Sequence, residues 1–277
     1  MPGLIIHGGA GNRGPDDDKK RAFMRDMAAS TWKEIGGGLG ATDAAERAVV
    51  LMEDSGLFNA GTGSYPAQDG TIQMDAGIMD GQSLECGAVG AIYGVKNPVT
   101  AASAVMKKSE HSLMVAEWAL EFALLHGIAP YEIRPREIST EPGKFGTVGA
   151  AVLDSRGGTA AAVSTGGTVS KLPGRVGDSA VVGAGYYADR AGAAVSTGDG
   201  DIIMKAGIAG RCCSLMAGGM AAQEASKTVI TELGLFPRGS GGIISIDGRG
   251  SFGATFNTKA MLHAYINDTM DEPEVSG

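Results

Sequence analysis

Short apolar runs that end in glycine-rich turns restrict the folding options of this chain more than any other feature. Leu4-Ile5-Ile6 runs into Gly8-Gly9-Ala10-Gly11, and Asn59-Ala60-Gly61-Thr62-Gly63, Ser164-Thr165-Gly166-Gly167 and Thr197-Gly198-Asp199-Gly200 repeat the texture. Glycine fills 45 of 277 positions, against a usual share of ~7%, while hydrophobic residues stand at an ordinary 43%. The chain is therefore globular, neither disordered nor collagenous, and long enough to bury a core without disulfide staples. Buried strands are short, and glycine permits the exit angles that other residues resist.

Around these turns the periodicity predicts strands and helices in irregular alternation. Leu4 to Gly11 reads as a strand. After Asp16 to Asp18, acids suited to a helix N-terminus, Met24, Ala28, Thr31 and Ile35 fall at helical spacing until Gly36-Gly37-Gly38. A second helix, with Thr42 or Asp43 as its cap, continues to about Gly56. Strands over Thr71–Met79 and Gly87–Val95 are expected to pair across Asp80-Gly81. Pro98 opens a helix through Lys107, and Leu113, Glu117, Leu120 and Leu124 mark one face of another. Pro130 to Lys144, rich in proline and charge, reads as a linker. Beyond it lie strands at Thr147–Leu153 and Thr159–Ser164, one or two helices over Ile202–Leu233, and strands at Gly242–Ile246 and Ser251–Phe256. Such blocks point to sheets covered by helices in layers, not to a doubly wound parallel sheet.

Several function classes drop out. A net charge of −8 without a basic stripe offers nothing to nucleic acid. No apolar run is long enough for a membrane span, and Met1-Pro2-Gly3-Leu4 lacks a secretory n-region, so a cytosolic protein is expected. Cys86, Cys212 and Cys213 show neither disulfide arithmetic nor zinc spacing, and His7, His111, His126 and His263 match no metal or charge-relay pattern. His7 is expected as a buried hydrogen-bonding residue. The glycine turns follow neither the Walker spacing nor the dinucleotide fingerprint.

The remaining chemistry is hydroxyl chemistry. Thr147, Thr165 and Thr197 each stand at or beside an expected strand end, next to glycine. A threonine hydroxyl needs a base, and a free α-amine on the same residue, with an ordinary pKa of ~7.7 to 8.0, can serve. That requires Thr147 to be a chain terminus. Gly146-Thr147 lies where the linker meets a strand, so a cut there leaves both sides structured.

Taken in order, Ile6-His7-Gly8-Gly9-Ala10-Gly11, Asn59-Ala60-Gly61-Thr62-Gly63, Met74-Asp75-Ala76-Gly77-Ile78-Met79-Asp80-Gly81, Gly146-Thr147-Val148-Gly149-Ala150, Ser164-Thr165-Gly166-Gly167, Pro173-Gly174-Arg175-Val176-Gly177-Asp178-Ser179 and Gly183-Ala184-Gly185 resemble the plant-type L-asparaginase and isoaspartyl peptidase family over roughly residues 4 to 256. The resemblance implies an α+β fold, the four-layer αββα sandwich of N-terminal-nucleophile hydrolases. It implies self-cleavage between Gly146 and Thr147 into an α chain (1–146) and a β chain (147–277) that together form one αββα domain, commonly as a dimer of heterodimers. It further implies a Thr147 nucleophile tuned by Thr165, an oxyanion hole at Thr197 and the Gly198 amide, and a substrate site of Arg175, Asp178, Gly200 and Asn59. Arg175 would hold an α-carboxylate and Asp178 an α-ammonium. No cofactor is implied for the chemistry; a structural sodium ion on backbone carbonyls in the loop Met52, Glu53 to Phe58 is, and a plain helix-ending loop fits those residues equally well.

The chain departs from the family pattern in its short linker and in Asp199 and Asp201, which make one turn unusually acidic and leave the leaving-group preference open. Three competing readings stay in view. A glycosylasparaginase is disfavoured by Gly146-Thr147-Val148-Gly149 and Thr165-Gly166-Gly167; the others are a non-catalytic binder of acidic amino acids in which Thr147 is never freed, and a hydrolase using Cys86.

Overall fold

In the computed structural model, which describes residues 1–12, 17–134 and 146–277, Leu4-Ile5-Ile6 lies inside a strand, β1 (Gly3–Gly11), that divides its side chains between two cores. Successive side chains of a strand point to opposite faces, so Leu4 and Ile6 join one apolar cluster while Ile5 and Ala10 join another. Burial on both sides explains why the run is uniformly apolar rather than alternating.

Helices α1 (Asp17–Gly36) and α2 (Ala41–Asp54) follow, and α1 buries Met24, Met27, Ala28, Thr31 and Ile35, the face its spacing predicts. Asp16 falls outside the described residues. The cap of α2 differs from expectation. Gly40 holds the cap position, and the Ala41 N–H is taken by the Asp154 carboxylate at 3.0 Å, while Thr42 donates to Asp80 at 2.7 Å and Asp43 pairs with Lys107. A cap from a residue distant in sequence leaves no local signal.

Strands β2 (Met74–Asp80) and β3 (Cys86–Ile92) pair antiparallel as expected. After α3 (Pro98–Lys108), Leu113 belongs to a short strand, β4 (Leu113–Val115), not to the helix α4 (Ala116–Leu125), whose buried positions are Ala119 and Ala123. Of the expected linker, residues 135–144 lie outside the described residues, and Pro130 forms an isolated bridge to Val95. Beyond it come β5 (Val148–Leu153), β6 (Thr159–Thr165), β7 (Tyr186–Asp189) and β8 (Gly192–Gly198). The long helical stretch resolves into three pieces, α5 (Gly200–Ala206), α6 (Ile208–Ala217) and α7 (Ala222–Leu233), because Gly207 takes a left-handed φ of 60° that ends α5. β9 (Gly241–Asp247) and β10 (Phe252–Phe256) match expectation, whereas β11 (Ala260–Asn267) and β12 (Glu274–Ser276) were not anticipated.

The strands form two sheets, ordered β12-β11-β1-β5-β6-β2-β3-β4 and β10-β9-β8-β7, antiparallel throughout except where β4 joins β3. One apolar cluster joins α1 to α4 with one face of the larger sheet. A second joins residues of both sheets, such as Val163 and Val195, and a third joins Ala194 and Ile243 of the smaller sheet with α5 to α7. The fold is thus mixed α/β with two sheets and helices.

Tyr186, fully buried, shows how close the sheets come: a Cβ built on Gly77 of β2 would stand 2.1 Å from its ring. Gly77→Ala is expected to lower stability by about 1–3 kcal/mol through overpacking. Thermal unfolding measures this directly, and an unchanged Tm would contradict the packing described.

Candidate active site

The site forms where β1, β5, β6 and β8 end together. Because β5 and β6 run antiparallel with Val148 opposite Ser164, Thr147 and Thr165 meet at the mouth of that pair. The Thr147 hydroxyl donates to Thr165 Oγ1 at 3.1 Å, and the Gly167 N–H donates to the same oxygen at 3.0 Å. Thr165 is thereby fixed as an acceptor beneath Thr147, which itself is only 7% exposed. From the other sheet, Thr197 accepts the Ala10 N–H at 3.2 Å, so its own hydroxyl proton is left to donate elsewhere.

One pocket is lined by Thr147, Thr165, Arg175, Asp178, Gly198 and Gly200, together with Gly167 and Thr168. Six expected site residues therefore converge. Arg175 is largely buried, with Nη2 3.2 Å from Asp201 Oδ2 and Nε partnerless among the described residues. Burial pushes the Asp178 carboxyl up to about 7, against the opposing pull of Arg175, and the Ser196 hydroxyl donates to it at 3.3 Å. The two side chains do not bond each other but flank Gly200, where a Cβ would stand 2.5 Å from Asp178 Oδ1 and 3.0 Å from Arg175 Nη2. Only glycine leaves both groups facing the pocket.

Asn59 stands outside the lining. Its side chain donates to the Gly167 carbonyl at 2.6 Å and accepts the Tyr65 N–H at 2.9 Å, and its backbone carbonyl takes the Gly166 N–H at 2.8 Å. These bonds clamp the loop that carries Thr165. Gly146 is held between Asn59 and Gly9: a Cβ on Gly9, whose φ is +102°, would lie 2.8 Å from the Gly146 Cα. Gly9→Val is expected to displace the Gly146-Thr147 bond and slow any cleavage there by about tenfold or more, since misplacement near 1 Å costs on that order. A time course of fragment appearance on a denaturing gel checks it, and an unchanged rate contradicts the contact.

Two supporting residues went unassigned in the sequence. Asp75, fully buried, accepts the Gly177 N–H and the Ala91 N–H, each at 2.8 Å, tying the segment that carries Arg175 and Asp178 to β2. Burial raises its carboxyl, and the cations Lys171 and Arg175 oppose that shift. Lys171, 4% exposed, donates to the Gln73 carbonyl at 2.5 Å, and burial lowers its ammonium pKa. A buried lysine between two motifs was the available signal.

His7 is buried as expected, accepting the Gly9 N–H at 3.2 Å, and burial lowers its pKa to about 3, so the ring is neutral. Cys212 and Cys213 are buried thiols pushed up by burial, and Cys86 lies on β3, outside the threonine pocket. In the loop after α2, Ser55 donates to the Met52 carbonyl and Thr62 to the Glu53 carbonyl, each at 2.7 Å. A Cβ on Gly63 would meet the Phe58 carbonyl and lie 3.1 Å from the Gly56 carbonyl, so the loop folds back tightly on Gly63, where only glycine fits. The Glu53 side chain is buried against α3, accepting the Val99 N–H at 3.1 Å, and burial raises its carboxyl to about 8. Among the described residues no cluster of three or more His, Cys, Asp or Glu side chains is arranged for a metal, and no helix is long and apolar enough to cross a membrane.

A family model described as asparaginase matches residues 1–141 and 128–274. The chain belongs to the asparaginase family. It is 37% identical to the plant-type L-asparaginase of Thermococcus kodakarensis, over 99% of each chain. It is 38% identical to the isoaspartyl peptidase of Escherichia coli, over 96% of this chain and 94% of that one, and 36% identical to the isoaspartyl peptidase/L-asparaginase of Xenopus laevis, over 96% and 93%. This asparaginase-family chain thus keeps near full-length correspondence with hydrolases of both names.

Proposed function

We propose that this protein is a self-processing hydrolase of β-aspartyl bonds, acting on isoaspartyl dipeptides, on L-asparagine, or on both. The observation that carries the reading is the single pocket in which Thr147 and Thr165 face Arg175 and Asp178. A zwitterionic α-carbon needs a cation for its carboxylate and an anion for its ammonium, and a guanidinium and a carboxylate flanking Gly200 supply them.

In this reading the Thr147 hydroxyl attacks the Gly146 carbonyl carbon, and the peptide bond becomes an ester. Water then cleaves the ester, leaving a carboxylate on Gly146 and a free amine on Thr147. The chains 1–146 and 147–277 stay associated, because β5 and β6 pair with β1 and β2 across the cut. With substrate bound, the freed amine takes the hydroxyl proton as Thr147 Oγ1 attacks the β-carbonyl. The Gly198 N–H and the Thr197 hydroxyl receive the developing oxyanion. The leaving amine departs protonated, and water releases aspartate from the β-aspartyl ester.

The three apolar clusters support a four-layer αββα arrangement of the N-terminal-nucleophile type. The loop Met52, Glu53 to Phe58 would hold a structural sodium ion through backbone carbonyls, taking no part in the chemistry. We also propose a cytosolic protein that assembles as a dimer of processed heterodimers. Incubating purified protein with L-asparagine and with β-aspartyl-leucine, and measuring released aspartate, tests the function. Turnover of at least one substrate is expected; turnover of neither by processed protein would overturn it.

A further inference from the structure

The two acids of the Thr197–Asp201 turn, Asp199 and Asp201, each hold an arginine. Asp201, half exposed, engages Arg175, whereas Asp199 engages Arg238, 80% exposed, through a single contact of 3.0 Å from Nη2. Asp199 sits between Gly198 and Gly200, both of which line the pocket. The segment that carries Arg238 lies against the same turn: the Asp199 N–H donates to the Ser240 carbonyl at 2.8 Å, and a Cβ on Gly198 would lie 2.4 Å from the Gly241 Cα. Arg238 also occupies a left-handed backbone conformation, φ 67°, in a turn where the next residue is glycine. Such a conformation costs a non-glycine residue about 1–2 kcal/mol, so an arginine is retained there against local preference.

Resting on the β-aspartyl reading above, we propose that Arg238, positioned by Asp199, is a specificity residue that receives the α-carboxylate of the leaving amino acid. The chemistry separates the two substrate types. An isoaspartyl dipeptide departs as an amino acid bearing a carboxylate, while asparagine departs as ammonia with nothing for a guanidinium to hold. Asp199 uses one nitrogen of the fork and leaves the others for a carboxylate, the geometry in which arginine excels. Asp199 also supplies a counter-charge that keeps an unoccupied guanidinium from drawing anions to the oxyanion site.

The test compares kcat/KM for β-aspartyl-leucine, β-aspartyl-leucinamide and L-asparagine in the processed wild type, Arg238→Ala and Arg238→Lys. In the wild type the free acid is expected to exceed the amide about threefold, in line with an ion pair at an exposed site. Arg238→Ala is expected to abolish that preference and lower the dipeptide-to-asparagine ratio by a similar factor, mainly through KM, with Arg238→Lys restoring part of it. Equal losses on all three substrates, or an acid-to-amide ratio that Arg238→Ala leaves unmoved, would overturn the proposal while leaving the β-aspartyl reading intact. A wild type inactive on all three would overturn both.

Discussion

Thr147→Ala is expected to leave the 277-residue chain uncut and to remove hydrolysis of isoaspartyl dipeptides and L-asparagine alike, by about 10⁴-fold or more. The size of the effect follows from the double duty of one residue. Among the described residues its hydroxyl is the one that donates to Thr165, and in the proposed mechanism its amine becomes a base only once the preceding bond is broken. Thr147→Ser keeps the hydroxyl and is expected to cut and turn over slowly, which separates loss of the nucleophile from loss of the fold. Gel analysis and a coupled aspartate assay read both outcomes. Full activity in an uncut Thr147→Ala chain would remove the threonine from the chemistry altogether.

The second large effect concerns the substrate's charged ends. Arg175→Leu and Asp178→Asn are each expected to lower kcat/KM by about 30-fold or more, since truncating one partner of a buried charge pair costs roughly 2–5 kcal/mol. Asp178 adds a pH signature. Its carboxyl, raised by burial to about 7, is neutral below that pH and cannot offset an ammonium, so kcat/KM should climb as pH rises through about 7. Asp178→Asn should remove the part of that rise centred near 7, leaving the rise that belongs to the Thr147 amine, whose ordinary pKa is ~7.7 to 8.0. Stability moves the other way: a carboxyl whose folded pKa lies above its unfolded value favours the fold at low pH, and that advantage fades as pH rises toward 7. Asp178→Asn is therefore expected to lose activity at pH 8 without losing Tm, as thermal melts beside the kinetic profile would show. A flat wild-type profile between pH 6 and 8 would contradict the assignment.

Much of this was legible in the chain because local physics carried it. The α1 face, the β5–β6 hairpin and the glycine stop at Gly36 follow from spacing alone, and the threonine, arginine and aspartate of the pocket stand within motifs whose order points to one family. What escaped depends on contacts between distant residues. Asp154 caps α2 from another sheet connection, β11 completes the larger sheet beside β1, and Asp75 and Lys171 tie the segment that carries Arg175 and Asp178 to the start of β2. Asn59, expected to orient the precursor bond or the nucleophile or to contact substrate, packs against Gly146 and bonds Gly167 and Tyr65, contacts that only three-dimensional geometry makes. The one or two helices expected over Ile202–Leu233 became three, since a left-handed Gly207 ends α5 and Gly218 ends α6.

The central claim is that Thr147 is made into a chain terminus by its own hydroxyl, and intact mass spectrometry of freshly purified wild-type protein, followed over time, tests it most directly. The account predicts two fragments whose masses sum to the precursor plus one water, split between Gly146 and Thr147, with aspartate-releasing activity growing in step. A chain that stays whole while it hydrolyses substrate, or one cut at any other bond while Thr147 keeps its peptide nitrogen, would contradict it.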